Sequence, residues 1–281
     1  MAFPVQERVR KLPEHLRMGK GEIPTFGVED IREINGMYRL QIQLSTTAFS
    51  LPLVHLNFPG VEEAAIGWFD PNPHKNPQID EAATLAMETM LKKIKPKVIV
   101  MTNSTKSEHF IREAVQKLPP DTRLIVLPSG SEEMCRDDIE GRSVGTLTSY
   151  TPVTGTPKLM GYPKQVEGQT DYLTPDQLKK MCPSGKGLVI VDDVYTTGAT
   201  SAAMESVLGL KEGDKHQLAV VAIERQYDGK SGVYRPKKVP KKVHAAFNLT
   251  EFLGLDGLNV DRSKLHIYDK PNIPPAIVGN R

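Results

Sequence analysis

Four short apolar runs recur along the middle of the chain: Val98-Ile99-Val100-Met101, Leu124-Ile125-Val126-Leu127, Gly187 to Val191, and Leu218 to Ile223. Between them the apolar positions change period. Ala83, Met87, Met90 and Leu91 fall close to one face of a helix predicted from about Asp80 to Ile94. Phe110, Ile111, Ala114, Val115 and Leu118 recur at helical spacing, and a further helix is expected around Ala202 to Leu208. Strands apolar on every position are buried on both faces, the pattern of a parallel sheet whose crossover helices cover both sides. An α/β fold with a mainly parallel sheet follows. A ligand is then expected at the carboxyl ends of the strands.

The flanks read differently. From Ile34 to about Phe69, β-forming residues are punctuated by Asn35-Gly36, Pro52 and Pro59-Gly60, which predicts short strands and turns. Pro71, Pro73 and Pro77 make a stiff connection into the first helix. Gly141 to Tyr150 and Pro157 to Tyr162 flank Val153-Thr154-Gly155-Thr156, a predicted hairpin with a flexible tip. The expected organisation is a β-rich N-terminal appendage over 1–75, a core over 76–255 and an irregular tail over 256–281, in which Pro271, Pro274 and Pro275 stand.

Composition narrows the partners. Across 281 residues, 36 Lys and Arg against 34 Asp and Glu leave a net charge of +2, too little for a field that grips a polyanion. Nucleic acid is therefore not an expected partner, and any anion site must be local. Two cysteines, Cys135 and Cys182, make no disulfide framework and have no metal-ligand spacing; with no apolar run of about 18 residues, the chain is expected in a reducing cytoplasm, away from membranes. The seven histidines show no metal spacing either, and His109 and His244 read as surface or packing residues. Trp68 is expected in the core of the appendage.

The segment that carries chemistry is Val189-Ile190-Val191-Asp192-Asp193-Val194-Tyr195-Thr196-Thr197-Gly198-Ala199-Thr200. It places two carboxylates at a strand end, and hydroxyls with a glycine at a helix start. A phosphate needs converging donors: the first helical turn supplies unpaired amides and partial positive charge, Thr196, Thr197 and Thr200 add hydroxyls, and Gly198 lets the backbone come close. Adjacent carboxylates suit a vicinal diol such as the ribose 2′ and 3′ hydroxyls, and positive charge developing on the sugar. Helix capping would account for one such residue; here five Asp and Thr fall within residues 192–200 behind an apolar strand. Neither a Gly-Lys-Ser/Thr phosphate loop nor a G-x-G-x-x-G turn is present.

This segment resembles the phosphoribosyl pyrophosphate signature of type I phosphoribosyltransferases, and over roughly residues 70 to 255 the chain looks most like xanthine phosphoribosyltransferases and their adenine-type relatives. The resemblance implies that fold, with the N-terminal appendage as a hood. It also implies a site: Asp192 and Asp193 on the ribose; Tyr195, Thr196, Thr197, Gly198, Ala199 and Thr200 on the 5′-phosphate; and Ser104, Thr105, Lys106 and Ser107 as the pyrophosphate loop. Asn76, in Asn76-Pro77-Gln78-Ile79-Asp80, is similar to the residue that contacts the base. Arg225, after Ile223-Glu224, and Tyr227 are the further base contacts, suited to the oxygen and ring face of a 6-oxopurine. Ser149, Tyr150, Thr151 and Lys158 look like a mobile lid. Mg²⁺ held mainly by substrate, and a homodimer, are also implied.

Two departures from the family pattern stand out. Ser107 occupies a position usually glycine, and Leu127-Pro128-Ser129-Gly130 stands where the next strand usually ends in Arg-Lys, so cations expected on the pyrophosphate side are missing. Lys106, Lys158 and Lys164 are the candidates to compensate. The expected reaction is transfer of the 5-phosphoribosyl group to a purine base, a 6-oxopurine such as xanthine favoured, with release of pyrophosphate. Two alternatives remain open: a non-catalytic sensor of phosphoribosyl pyrophosphate on the same fold, and an enzyme for another base.

Overall fold

The computed structural model describes residues 23–43, 48–56, 64–145, 159–169, 171–196, 198–228, 233–235, 243–253, 255, 260–267 and 277–278. The chain divides into two compact units: one of residues 1–69, 224–236 and 246–281, the other of 70–223 and 237–245.

The first unit is a β structure. Strands Ile31–Ile34, Met37–Gln43, Ala48–Leu56 and Ala64–Gly67 form an antiparallel meander, and Ala64–Gly67 pairs in turn with Val243–Leu253, Glu251 opposite Ile66. The turn between the first two is Asn35-Gly36, with φ of 54° and 77°; such a two-residue turn matches strand twist and favours Asn-Gly because both residues adopt positive φ. Pro52, expected to mark a break, lies inside Ala48–Leu56. Its carbonyl accepts from Trp68 N–H at 2.9 Å just past the end of Ala64–Gly67, so its missing N–H removes one bond where the ladder already stops. Phe26, Phe49 and Phe69 set their edges against the ring of Phe247, with centroids 6.1, 6.5 and 5.6 Å away, and form the aromatic centre of this unit. The tail is not irregular throughout: His266–Ile267 and Ile277–Val278 both pair with Ala48–Leu56. Trp68 is half-buried.

The second unit carries the predicted parallel sheet. Its strand order is Arg123–Leu127, Val98–Thr102, Leu188–Tyr195, Gln217–Asp228, all parallel. Val98 to Met101 and Leu188 to Val191 are fully buried, as two covered faces require. Helices Pro77–Ile94 and Glu108–Gln116 pack on each other, and Ala83, Met87, Met90, Leu91, Phe110, Ile111 and Ala114 form their buried faces. The first helix starts three residues earlier than its apolar pattern suggests, because Pro77 at its first position loses no internal hydrogen bond. Helix Ala199–Leu208 packs against the strands Ile139–Gly145 and Leu159–Pro163. Those two strands pair antiparallel, Leu159 opposite Gly145, so the stems of the predicted hairpin are present; its tip lies outside the described residues. Among the described residues, no helix is long and apolar enough to cross a membrane.

Candidate functional site

The topology of the second unit puts a crevice at one place. From Val98–Thr102 the chain crosses through Glu108–Gln116 to the neighbour on one side; from Leu188–Tyr195 it crosses through Ala199–Leu208 to the neighbour on the other. These two strands are themselves adjacent, with Val100 opposite Ile190. Connections that leave adjacent strands in opposite directions open a gap above their carboxyl ends, where ligands of open α/β sheets bind. The loops bordering it are Asn103 to Ser107 and Thr196 to Gly198.

Asp192 and Asp193 occupy the last half of their strand, which runs on to Tyr195 rather than ending at Val191. Alternate strand positions face opposite ways, yet the two carboxyl groups converge, that of Asp193 acting as a hydrogen-bond partner of Asp192. Each also accepts from the next backbone amide: Asp193 N–H donates to Asp192 Oδ1 at 3.0 Å, and Val194 N–H to Asp193 Oδ1 at 2.9 Å. Burial, and then the charge of Asp193, push the Asp192 carboxyl well above its usual range; Lys106 pulls it back down. The charge of Lys106 on the first loop is thus felt at Asp192 on the neighbouring strand.

Behind the acids the chain turns sharply. Gly198 has φ of 80° and ψ of 9° and immediately precedes helix Ala199–Leu208, whose first internal bond is Ala202 N–H to Gly198 O at 2.9 Å. Helix formation begins at Ala199, ahead of the predicted Ala202, so the first-turn amides of Ala199, Thr200 and Ser201 stand at the crevice end of the helix, where a phosphate is favoured. Gly198 has a second reason for being glycine. A Cβ there would lie 2.5 Å from Oη of Tyr195, whose ring is buried against the turn. Tyr195 therefore shapes the loop from inside. Thr196 is half-buried; Thr197 lies outside the described residues.

On the facing loop, Ser104 O accepts from Ser107 N–H at 3.2 Å and Glu108 N–H at 2.9 Å, which curls residues 104–107 into a turn at the start of helix Glu108–Gln116. Ser107 is buried, Thr105 exposed, and Ser104 and Lys106 intermediate. Asn103, absent from the predicted contacts, ties this loop to the next strand end, its Oδ1 accepting from Ser129 N–H at 2.8 Å. Nothing in the local pattern marks that role, because its partner is 26 residues away.

Asn76 is buried, and its amide donates to Asp70 O at 2.8 Å, so part of its hydrogen-bonding capacity fixes the entry to helix Pro77–Ile94. Arg225 and Tyr227 lie on the strand Gln217–Asp228, but their side chains are outside the described residues. So are Ser149, Tyr150, Thr151 and Lys158; Lys164 is exposed. One further group escaped prediction as a unit: His109 Nδ1 lies 2.8 Å from Oδ2 of Asp80, which is buried. Cys135 and Cys182 are both buried and free.

No protein-family model matches this sequence, and no curated protein is similar to it. Solved structures give weak likenesses. A purine phosphoribosyltransferase from Pyrococcus horikoshii Ot3 is 18% identical with a TM-score of 0.33, the match covering 62% of this chain and 85% of that one. An adenine phosphoribosyltransferase from Giardia lamblia, complexed with 9-deazaadenine, is 13% identical with a TM-score of 0.37, covering 61% and 80%. A hypoxanthine-guanine phosphoribosyltransferase from Bacillus anthracis is 9% identical with a TM-score of 0.32, covering 61% and 77%. Scores of this size do not by themselves establish a shared fold.

Proposed function

We propose that this chain is a phosphoribosyltransferase, transferring the 5-phosphoribosyl group of phosphoribosyl pyrophosphate to a purine base with release of pyrophosphate. The observation that carries the reading is the convergence, at one topological switch point, of paired carboxyls, a glycine-led helix start and a lysine-bearing turn. Asp192 and Asp193 accept the ribose 2′ and 3′ hydroxyls. The Tyr195 to Thr200 turn holds the 5′-phosphate on first-turn amides and on the hydroxyls of Thr196, Thr197 and Thr200, while Ser104 to Ser107 receive the diphosphate. A base nitrogen then attacks the anomeric carbon as its bond to diphosphate oxygen breaks, and the acids steady the positive charge that develops on the sugar.

The chain's residues fit Mg²⁺ bound chiefly through substrate oxygens. Asp192 is held in a form that added positive charge would relieve. Such an ion would supply positive charge to the leaving diphosphate. Asn76, Arg225 and Tyr227 are the base contacts in this reading, and a 6-oxopurine such as xanthine is the favoured acceptor because a guanidinium donates to an oxo group. Ser149, Tyr150, Thr151 and Lys158 would close over the reacting centre and exclude water. The missing cations at Leu127 to Gly130 favour one second reading, a sensor that binds phosphoribosyl pyrophosphate without turning it over.

Incubation of the protein with phosphoribosyl pyrophosphate, Mg²⁺ and a panel of purines and other bases, following pyrophosphate release, tests the proposal. Base-dependent release from wild type and none from an Asp192→Asn/Asp193→Asn variant is the expected result. Binding without release would make it a sensor; no binding at all would remove the site from this crevice.

A further inference from the structure

Asn103, the first residue of the crevice loop, is held by its side chain to the neighbouring strand end. Val98–Thr102 and Arg123–Leu127 run parallel, and their last paired residues are Thr102 and Leu127. Asn103 N–H then donates to Leu127 O at 3.2 Å, which keeps the residue at the sheet's carboxyl edge, while its Oδ1 accepts from Ser129 N–H at 2.8 Å. In a regular parallel ladder the acceptor for that second bond would be a main-chain carbonyl. Because the side chain supplies it instead, the backbone of Asn103 can leave the sheet and enter the turn at Ser104 to Ser107.

A backbone N–H only donates, so the amide atom facing Ser129 is the oxygen, and the amino group is turned the other way. Nδ2 has no partner among the described residues. Asn103 is exposed, although Thr102 before it and Ser107 at the end of the turn are buried. Ser129 lies two residues past the last paired position, so a side chain that reaches it extends beyond the carboxyl edge, where the crevice opens. An exposed amide normally loses rotamer freedom when it binds a ligand; here the sheet has already fixed it. The adjoining strand end, Leu127 to Gly130, offers no cation. A tie between two strand ends would be made as well by aspartate, since only the oxygen is used; the two N–H donors are what asparagine adds.

We propose that Asn103, its amide oriented by Ser129 N–H, is a further diphosphate-binding residue, donating from Nδ2 to a diphosphate oxygen of the phosphoribosyl donor. This rests on the phosphoribosyltransferase reading above. Ser129 is the positioning residue, acting through its main chain.

Calorimetric titration of the full chain with inorganic pyrophosphate and, separately, with ribose 5-phosphate tests it. Asn103→Asp has nearly the same shape and keeps an oxygen for Ser129 N–H, but it replaces the donors with a negative charge. It should bind pyrophosphate at least about tenfold more weakly, the effect of roughly 1.4 kcal/mol, while ribose 5-phosphate affinity stays within about twofold of wild type. Its melting temperature should stay within about 3 °C of wild type, because the tie is kept. Asn103→Ala, which is neutral, should also lose about tenfold in pyrophosphate affinity. Unchanged pyrophosphate affinity in both variants overturns the proposal. A loss confined to Asn103→Asp does so too, since it would be charge repulsion without a contact; so does a loss confined to Asn103→Ala, which would leave the residue a tie between strands. Equal loss of both ligands would make the change a general disturbance of the crevice and overturns it as well. These outcomes leave the phosphoribosyltransferase reading standing, whereas a wild type that binds neither ligand overturns both.

Discussion

Asp192→Asn should make the folded protein more stable at neutral pH while abolishing transfer. An unfolded aspartate titrates near 3.9, and in the native chain burial and Asp193 raise that value well above the ordinary range. Between the two values the native state holds a proton that the unfolded state has released, so stability falls as pH rises through this window and the loss is complete above the native value. Asparagine keeps the Oδ1 that accepts Asp193 N–H at 3.0 Å and keeps the shape, so no cavity opens. It removes the charge that burial and Asp193 both oppose, and gives up the attraction to Lys106. An unrelieved buried charge costs several kcal/mol and a partner recovers part of it, which leaves a net gain of about 1–3 kcal/mol at pH 7.5. For a unit of this size that is a rise in Tm of about 2–12 °C. Thermal denaturation of both proteins at pH 7.5 and near pH 4 measures it. The difference should shrink at the lower pH, where the unfolded state of wild type has regained about half of its proton and the native state keeps its own. A variant no more stable than wild type at pH 7.5, or a difference that does not change with pH, would refute the assignment of Asp192 as a destabilised acid.

Two further substitutions probe the frame of the site. Gly198→Ala should lose about 2–4 kcal/mol, since it adds the cost of positive φ to a contact with the Tyr195 phenol; urea unfolding reads it, and a loss below 1 kcal/mol would mean that the tyrosine swings away freely. Thr174 caps helix Pro175–Met181 by accepting from Gln177 N–H at 3.2 Å, while the Gln177 side chain returns to Thr174 N–H at 2.8 Å. Thr174→Ala should cost about 1 kcal/mol and leave phosphoribosyl pyrophosphate binding unchanged by calorimetry.

The features legible in the letters are those whose cause is local. Val98 to Met101 and Leu188 to Val191 announce covered strands because neither face can meet water, and Asn35-Gly36 announces its turn because both residues tolerate positive φ. The acids and the glycine-led helix start are legible for the same reason, being one strand end and its next turn. What the tertiary structure decided is which distant pieces meet. Strand order sets Leu188–Tyr195 beside Val98–Thr102, so that the charge of Lys106 is felt at Asp192, although no periodicity records which strands are neighbours. Val243–Leu253 pairs with both Ala64–Gly67 and Thr25–Phe26, joining segments from distant parts of the sequence within the first unit. Pro52 misleads because its tolerance depends on where a neighbouring strand stops, and the tie between His109 and Asp80 is not legible because the two stand 29 residues apart on different helices. Hydrophobic pattern reports what each residue does to its own segment, while hydrogen bonds and charges across segments depend on packing that only the folded chain fixes.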